Sequence, residues 1–151
     1  MMSKKISLLV PMYNEEEALG CFFDAVIPVL EKMPIAWEII CVNDGSTDRT
    51  LEQLGGWYEQ EPRVKVINLS RNFGKERALT AALDFATGDA VIPMDADLQD
   101  PPELIPEMVG HWNQGFDIVN AVRTSRKTDS PAKRVTAHLF YRIINLVSDV
   151  E

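Results

Sequence analysis

The chain has 151 residues, of which 46% are hydrophobic and 25% are charged, enough for one globular domain with its own core. Its formal net charge of −8 excludes a general nucleic-acid-binding protein, whose surface would be basic. Two cysteines are too few for a disulfide framework and favour a reducing cytosol, and we expect neither a signal peptide nor an apolar run of about 18 residues that could span a bilayer.

Short apolar runs alternate with amphipathic segments along the whole chain. The predicted strands are Ile6–Pro11, Glu38–Val42, Val64–Leu69, Ala90–Met94 and Asp117–Val122. The predicted helices are one capped by Asn14, with apolar positions from Ala18 to Ile27, and then Asp48–Gln60, Lys75–Ala86, Glu103–Gln114 and Pro131–Val147. This alternation predicts an α/β fold, with a mostly parallel sheet flanked by helices and one domain over residues 1–151.

Polar residues cluster directly after each predicted strand. In chain order they are Tyr13, Asn14 and Glu15; Asn43, Asp44, Gly45, Ser46 and Asp48; Ser70, Arg71, Asn72, Phe73, Gly74 and Lys75; Asp95, Asp97 and Gln99; and Arg123. A parallel sheet brings the carboxyl ends of its strands to one edge, where open α/β sheets bind ligands. The sequence therefore predicts one site at that edge.

Asp95 and Asp97 give the predicted site its chemistry. Two carboxylates one residue apart at the end of a buried strand repel each other unless a cation lies between them. Oxygen ligands suit Mg²⁺ or Mn²⁺, and such ions usually arrive with a phosphorylated substrate. The alternative is that both acids only cap the helix after Pro101-Pro102. An EF-hand is excluded, because Asp100 stands where that loop requires glycine.

The glycine-rich phosphate loops of common nucleotide-binding proteins are absent. No Gly-x-Gly-x-x-Gly segment exists, and Gly74-Lys75 lacks the earlier glycine of a P-loop. The motifs that are present are Val10-Pro11-x-Tyr13-Asn14-Glu15, Asn43-Asp44-Gly45-Ser46-x-Asp48-x-Thr50, Asn72-Phe73-Gly74-Lys75, the segment from Asp95 to Glu103, and Val119-x-x-Val122-Arg123. Together they resemble the inverting family 2 glycosyltransferases. Within that family the chain is most similar to the polyprenyl-phosphate branch, which includes bactoprenol and dolichyl-phosphate glycosyltransferases, and the resemblance runs from Ile6 to about Ile144.

The resemblance implies a GT-A, Rossmann-like fold and a nucleotide site. Pro11, Tyr13 and Glu15 match the motif that holds the base and ribose. Asp44 matches an acid that contacts the same part of the nucleotide, although many relatives have a second acid where this chain has Asn43. From the residues alone, Tyr13 could equally be an aromatic side chain at a strand end, and Glu15 an acid at a helix start. The segment from Gly45 to Asp48 could serve simply as a turn that leads into a helix, without contacting a ligand.

The remaining site residues are assigned to phosphate and metal. The resemblance implies that Asp95 lies near the nucleotide phosphates, that Asp97 binds Mg²⁺ or Mn²⁺ directly, and that Gln99 is a further oxygen ligand. Arg123 would meet the donor diphosphate or the acceptor phosphate, unless it is a surface arginine that ends a strand. Lys75 starts a helix against the helix dipole, which hints at a nearby anion.

The implied reaction moves a sugar, by resemblance glucose from UDP-glucose, to a polyprenyl phosphate. The acceptor is a phosphate oxygen that is already ionised near neutral pH, so no strong general base is needed. His111 and His138 are accordingly expected in helices away from the site. Two alternatives remain: a non-catalytic nucleotide-sugar binding module that acts through a partner chain, and a nucleotidyltransferase, which also uses paired acids.

The last predicted helix fits a membrane-embedded acceptor. Lys133, Arg134, Phe140, Tyr141 and Arg142 combine basic and aromatic groups around an apolar face, which is typical of an interfacial helix or of an amphipathic helix packed on the sheet. In the family, the acceptor side of the site and hydrophobic segments lie downstream of the matched region. We therefore expect this chain alone to bind donor and metal but to transfer poorly or not at all. We expect the full-length form at the cytoplasmic face of the inner membrane, and an apolar patch left uncovered would favour a homo-oligomer.

Overall fold

The structure is a computed structural model that describes residues 4–122. Met1–Val119 group into one compact unit, and a second begins at Asn120. The described part of the second unit, residues 120–122, contains no helix or strand. Arg123 and the predicted helix Pro131–Val147 lie outside the described residues.

Four parallel strands form the sheet of the first unit, in the order β3-β2-β1-β4. In chain order the elements are β1 (Lys5–Met12), α1 (Leu19–Glu31), β2 (Ala36–Asn43), α2 (Thr50–Gln60), β3 (Val64–Asn68), α3 (Lys75–Phe85), β4 (Ala90–Pro93), a 3-10 turn (Pro102–Leu104) and α4 (Ile105–Asn113). The predicted α/β fold with a parallel sheet flanked by helices is confirmed. No helix within residues 4–122 has the length and apolar character needed to cross a bilayer.

The two central strands are buried on both faces, which explains their nearly continuous apolar sequences. Leu8 and Val10 of β1 belong to the larger core cluster, with Phe22 and Phe23 of α1. Leu9 faces the other way, into a smaller cluster that contains Ala78 and Ala82 of α3, and the other members of that cluster are Ile40 and Val42. Helices on both faces thus hold the carboxyl ends of β1 and β2 in fixed positions.

The predicted fifth strand, Asp117–Val122, does not form within the described residues. Residues 117–122 have no strand structure, and Ile118 and Val122 are 78% and 79% exposed. An apolar, β-branched run favours a strand only where it finds a pairing edge and a packed face, and neither is made here. That prediction was wrong for the part of the chain that the structure describes.

The predicted helix starts also need correction at two positions. Asn14 does not cap α1, which begins at Leu19; Asn14 has φ 55°, and its side-chain oxygen accepts the backbone N–H of Thr47 at 2.8 Å. Asparagine tolerates this left-handed conformation better than most residues. The segment predicted as one helix from Glu103 is a 3-10 turn followed by α4, with Pro106 in its first turn, where the missing N–H costs nothing.

A buried carboxylate, Glu38, joins three strands at the amino half of the sheet. Its Oε2 accepts hydrogen bonds from the ammonium groups of Lys5 and Lys65, each at 2.7 Å. Its Oε1 accepts the hydroxyl of Ser7 at 2.6 Å and the N–H of Thr87 at 2.8 Å. Burial raises the pKa of Glu38, but the hydrogen bonds from Lys5, Lys65, Ser7 and Thr87 outweigh it and hold that pKa well below its ordinary value.

At the opposite edge, side chains tie the first loop (residues 13–18) to the second loop (residues 44–49). The Ser46 hydroxyl accepts the backbone N–H of Asn14 at 2.9 Å. The Asp48 carboxylate accepts the N–H of Glu16 at 3.1 Å and, with its other oxygen, the N–H of Thr50 at 2.9 Å. The second loop therefore leads into α2 and also fixes the loop that follows β1.

Asp44 ties the second loop to the third loop (residues 69–74). Its two carboxylate oxygens accept the backbone N–H groups of Phe73 at 2.7 Å and Gly74 at 2.9 Å. The neighbouring Gly45 has φ +68°, and a Cβ there would lie 2.3 Å from the carbonyl carbon of Arg71. Only glycine allows the two loops to approach this closely.

We expect Glu38→Gln to destabilise the protein by about 1–3 kcal/mol at pH 7, because the ammonium groups of Lys5 and Lys65 lose a buried anionic partner but remain partly exposed to water. Since the pKa of Glu38 in the folded protein lies below its ordinary value of 4.5, its stabilising effect is complete above that pH and is lost as the pH falls further. Urea unfolding at pH 7 and at lower pH should show the difference between wild type and variant shrinking. A difference that did not change with pH would contradict this account, and Glu52→Gln, on an exposed position of α2, is the control.

We expect Asp44→Asn to lower the free energy of unfolding by about 1–3 kcal/mol, although it changes few atoms. An asparagine side chain has one acceptor oxygen, so its amide nitrogen would face a backbone N–H of Phe73 or Gly74, donor against donor. Asp44 is only 3% exposed, so little water reaches its side chain to replace the lost bond. Urea unfolding measures the change, and Asp24→Asn, at an exposed position of α1, is the matched control. Equal effects of the two substitutions would refute the clamping role.

Candidate functional site

The loops at the carboxyl edge of the sheet form a cavity of about 320 Å³, within the size range of small-molecule sites. The residues that line it are Pro11, Met12, Tyr13, Glu15, Asp44, Asn72, Gly74, Lys75, Asp95, Ala96 and Asp97. Every residue predicted to hold the nucleotide is among them, as are both acids of the predicted metal site. Gln99 does not line the cavity, and Arg123 lies outside the described residues.

The end of β1 and the first loop form one wall. Tyr13 is 46% exposed, so its ring is available to a ligand. The backbone N–H of Glu15 donates to the hydroxyl of Thr50 at 2.8 Å, which fixes the loop against α2. Burial raises the pKa of Glu15, and the negative charges of Asp97, Asp48 and Asp95 raise it further. This wall is therefore part of a cluster of like charges.

Lys75 faces that cluster from the start of α3. Its Nζ lies 2.6 Å from Oδ1 and 2.7 Å from Oδ2 of Asp95, so the ammonium contacts both oxygens. The hydrogen bond to Asp95 raises the pKa of Lys75, and the charge of Asp97 adds to the effect. A cation in the first turn of a helix is disfavoured by the helix dipole, and here Asp95 offsets that cost.

Asp97 stands in a tight turn within the fourth loop (residues 94–101). Its Oδ1 accepts the backbone N–H of Gln99 at 3.0 Å, and Leu98 between them has φ 56°. The Leu98 side chain packs against the larger core cluster, whereas Asp97 is exposed. The core thus anchors the turn and leaves the Asp97 carboxylate accessible.

The residues present fit a cation that arrives with a phosphorylated ligand. Within residues 4–122, no group of three or more His, Cys, Asp or Glu could hold a metal by itself. Asp95 and Asp97 nevertheless present two carboxylates to one cavity. Mg²⁺ is commonly held by one or two carboxylates, with water and substrate phosphates completing its shell. The donor set suits that arrangement and not a permanent structural metal.

Four lining residues were given no individual role from the sequence: Met12, Asn72, Gly74 and Ala96. Met12 and Ala96 are direct neighbours of predicted residues, so proximity in sequence was the available signal. Asn72 and Gly74 belong to a motif that the sequence shows plainly. What the sequence does not show is that the Asp44 carboxylate accepts the backbone N–H groups of Phe73 and Gly74 and so holds this motif at the cavity.

His111 has no place in this site. It is exposed on α4, where its ring packs edge-on against Phe116 and its Nε2 lies 4.0 Å from Glu107. The described part of the cavity wall contains no histidine, so its acid–base groups are carboxylates, Lys75 and the Tyr13 phenol. The chemistry that these groups favour is the binding of an anion together with a divalent cation.

Comparison with known proteins gives strong sequence similarity. A bactoprenol glucosyl transferase of Shigella phage SfV is 48% identical over 144 residues, which is 95% of this chain and 47% of the phage protein. An uncharacterized glycosyltransferase of a Synechocystis strain is 51% identical over 150 residues, 99% of this chain and 47% of its own length. The chain thus spans about half the length of the curated relatives it matches.

Solved structures share the fold. Glucosyl-3-phosphoglycerate synthase from Mycobacterium tuberculosis, in complex with UDP, superposes with a TM-score of 0.64 and is 26% identical, covering 91% of this chain and 51% of that one. A mannosyltransferase from Pyrobaculum calidifontis, in complex with GDP-Man and Mn²⁺, gives a TM-score of 0.58 at 27% identity, covering 69% and 31%. The GT-A fold that the resemblance implied is confirmed.

The profile of one family covers almost the whole chain. It is described as Glycosyl transferase family 2, and it matches residues 7–148. The matched region contains nearly all of the parallel sheet, all four loops of the cavity and the Asp95–Asp97 pair. The chain belongs to the family 2 glycosyltransferases.

Proposed function

We propose that this chain forms the donor-binding part of a glycosyltransferase that moves a sugar from a nucleoside-diphosphate sugar to a polyprenyl phosphate. The observation that carries the proposal is the single cavity in which Asp95 and Asp97 meet Pro11, Tyr13 and the other residues of the predicted nucleotide site. A paired-acid cavity at the carboxyl edge of a parallel sheet suits a nucleotide that arrives with a cation. The family makes a nucleotide sugar the natural ligand.

The donor spans the cavity in this proposal. The base and ribose lie against Pro11, Tyr13 and Glu15, on the wall that the first loop forms. Asp44 contributes from the floor, since each of its oxygens accepts one backbone N–H and a carboxylate oxygen has a second lone pair for a ribose hydroxyl or a base N–H. The diphosphate then lies toward Asp95.

Mg²⁺ or Mn²⁺ would be held by Asp97 and Asp95, with Gln99 as a further oxygen ligand. The cation supplies stabilisation of the negative charge that grows on the departing diphosphate. The chain's own residues place the donor, hold the cation and offset phosphate charge with Lys75, and we propose Arg123 as a second positive group on the phosphates. The ionised acceptor phosphate displaces the diphosphate at the anomeric carbon in one step, which inverts the configuration of that carbon. This step needs no general base, and the described part of the cavity wall contains no histidine.

The names of both relatives support the acceptor, and the name of the phage relative supports glucose. The phage relative is a bactoprenol glucosyl transferase, and a 42% identical protein of Pectobacterium atrosepticum is an undecaprenyl-phosphate 4-deoxy-4-formamido-L-arabinose transferase. We therefore propose UDP-glucose as donor and a polyprenyl phosphate as acceptor. An acceptor of this kind requires work at a membrane surface, which we place at the cytoplasmic face of the inner membrane.

We expect UDP and UDP-glucose to bind in the presence of Mn²⁺ and much more weakly in EDTA. Asp97→Asn should remove the metal-dependent part of the affinity, because an amide is a poorer ligand for a hard cation. Calorimetric titration of UDP, UDP-glucose and GDP-mannose measures this, with Asp117→Asn as a control at an exposed acid away from the cavity. Tight binding of GDP-mannose alone would replace the proposed donor, and no nucleotide binding by the wild type would refute the donor site.

We expect this 151-residue chain alone to show little or no sugar transfer, because it matches about half the length of its relatives and we propose that the acceptor side of the site lies in the other half. Incubation with UDP-glucose, Mn²⁺ and a polyprenyl phosphate in detergent, followed by detection of the glycolipid, tests this. Robust turnover would show that the acceptor site is complete within these residues. Donor binding without turnover, restored by a partner chain, would favour the binding-module alternative.

A further inference from the structure

The contact between Lys75 and Asp95 is not explained by protein stability. The ammonium lies across both carboxylate oxygens, at 2.6 and 2.7 Å. The two side chains are 56% and 42% exposed, so the pair faces the cavity and not the core. Ion pairs of such exposure add little to the stability of a fold. A pair that adds little stability and lies among ligand-binding residues suggests a function in binding.

The position of the Lys75 ammonium conflicts with a metal on Asp95. A divalent cation bound by Asp95 would lie about 2 Å from a carboxylate oxygen, in the same region that Nζ occupies. Carboxylate oxygens can accept more than one partner, but two positive ions a few ångströms apart repel each other. Asp97 does not remove the conflict, because its charge also attracts Lys75. Either the metal is excluded or the ammonium moves.

The backbone limits how Lys75 can move. The preceding Gly74 is held by its N–H bond to Asp44, and Lys75 begins α3, so the Cα of Lys75 is fixed by the fold. Its four-carbon stem is flexible, and its ammonium can turn by rotamer changes alone. Within the described cavity wall Lys75 is also the only basic residue that an incoming diphosphate would meet. The ammonium therefore contacts the Asp95 carboxylate in the protein and would meet another anion in a bound diphosphate.

Building on the proposed function, we propose that Lys75 is a resident cation that occupies Asp95 until donor and metal bind together, and then moves to the donor diphosphate. In this arrangement Lys75 opposes the binding of metal alone and supports the binding of metal with donor. The two ligands are thus coupled, and by thermodynamic necessity each strengthens the other by the same factor. The consequence is a site that does not fill with metal before a donor arrives.

Removing the ammonium should change the two affinities in opposite directions. We expect Lys75→Met to bind Mn²⁺ alone about tenfold more tightly than the wild type, and to bind UDP at saturating Mn²⁺ about tenfold more weakly. Lys75→Arg keeps the charge and should resemble the wild type in the Mn²⁺ titration. Electron paramagnetic resonance of free Mn²⁺ measures the first affinity, and calorimetry measures the second.

The matched control is Lys32→Met, which removes the same charge from an exposed position at the end of α1, away from the cavity. If net charge alone set the Mn²⁺ affinity, Lys32→Met and Lys75→Met would change it equally, and that result would overturn the inference. Unchanged or weaker Mn²⁺ binding by Lys75→Met would overturn it too, as would no Mn²⁺ binding by either protein. Lys75→Gln provides the same test should Lys75→Met fail to fold. If the wild type did not bind UDP, the proposed function would be refuted instead. The Mn²⁺ titrations of the wild type and Lys75→Met could still be compared.

Discussion

The carboxylate of Asp44 is the interaction on which the geometry of the site depends. It stands at the end of the central strand β2, and its two oxygens hold the backbone N–H groups of Phe73 and Gly74. Gly45 beside it lets the second and third loops approach closely, and Ser46 ties the second loop to the first. Asp44 and Ser46 together therefore connect the wall formed by the first loop to the start of α3, which carries Lys75. A change in its hydrogen bonds would be felt across the whole cavity.

Acidic side chains have different environments at the two ends of the sheet. At the amino half, the buried carboxylate of Glu38 is satisfied by donors from β1, β3 and the loop before β4. At the carboxyl half, Glu15, Asp95 and Asp97 interact unfavourably, and the pKa of Glu15 is raised by burial and by its acidic neighbours. Folding alone would not favour such a cluster. Like charges gathered in a cavity are a common mark of a binding site, because a ligand can offset the repulsion.

The sequence predicted the sheet well, and it predicted which loops would come together at one edge, because both depend on local patterns. Buried strands are short apolar runs, and the ends of parallel strands must meet at one edge, so Asp44, Lys75, Asp95 and the first-loop residues could be placed together. The prediction of a fifth strand was wrong because strand pairing depends on tertiary contacts. An apolar run such as Asp117–Val122 does not guarantee those contacts. The cap at Asn14 was wrong for a similar reason: its side chain bonds to Thr47 in another loop. Contacts between loops leave little trace in sequence.

The excess of acidic side chains in the cavity opposes the binding of an anionic ligand. Four of the described lining residues are acidic, Glu15, Asp44, Asp95 and Asp97, and one, Lys75, is basic. A donor diphosphate would add further negative charge, and a phosphate acceptor would add more as it approached. One lysine cannot offset that sum, so in the proposed reaction a divalent cation must supply most of the compensation. The same excess of acidic groups explains why the position of the Lys75 ammonium would affect ligand binding. Since Lys75 is the one basic side chain of the described cavity wall, the anion that it contacts determines whether metal and donor bind together.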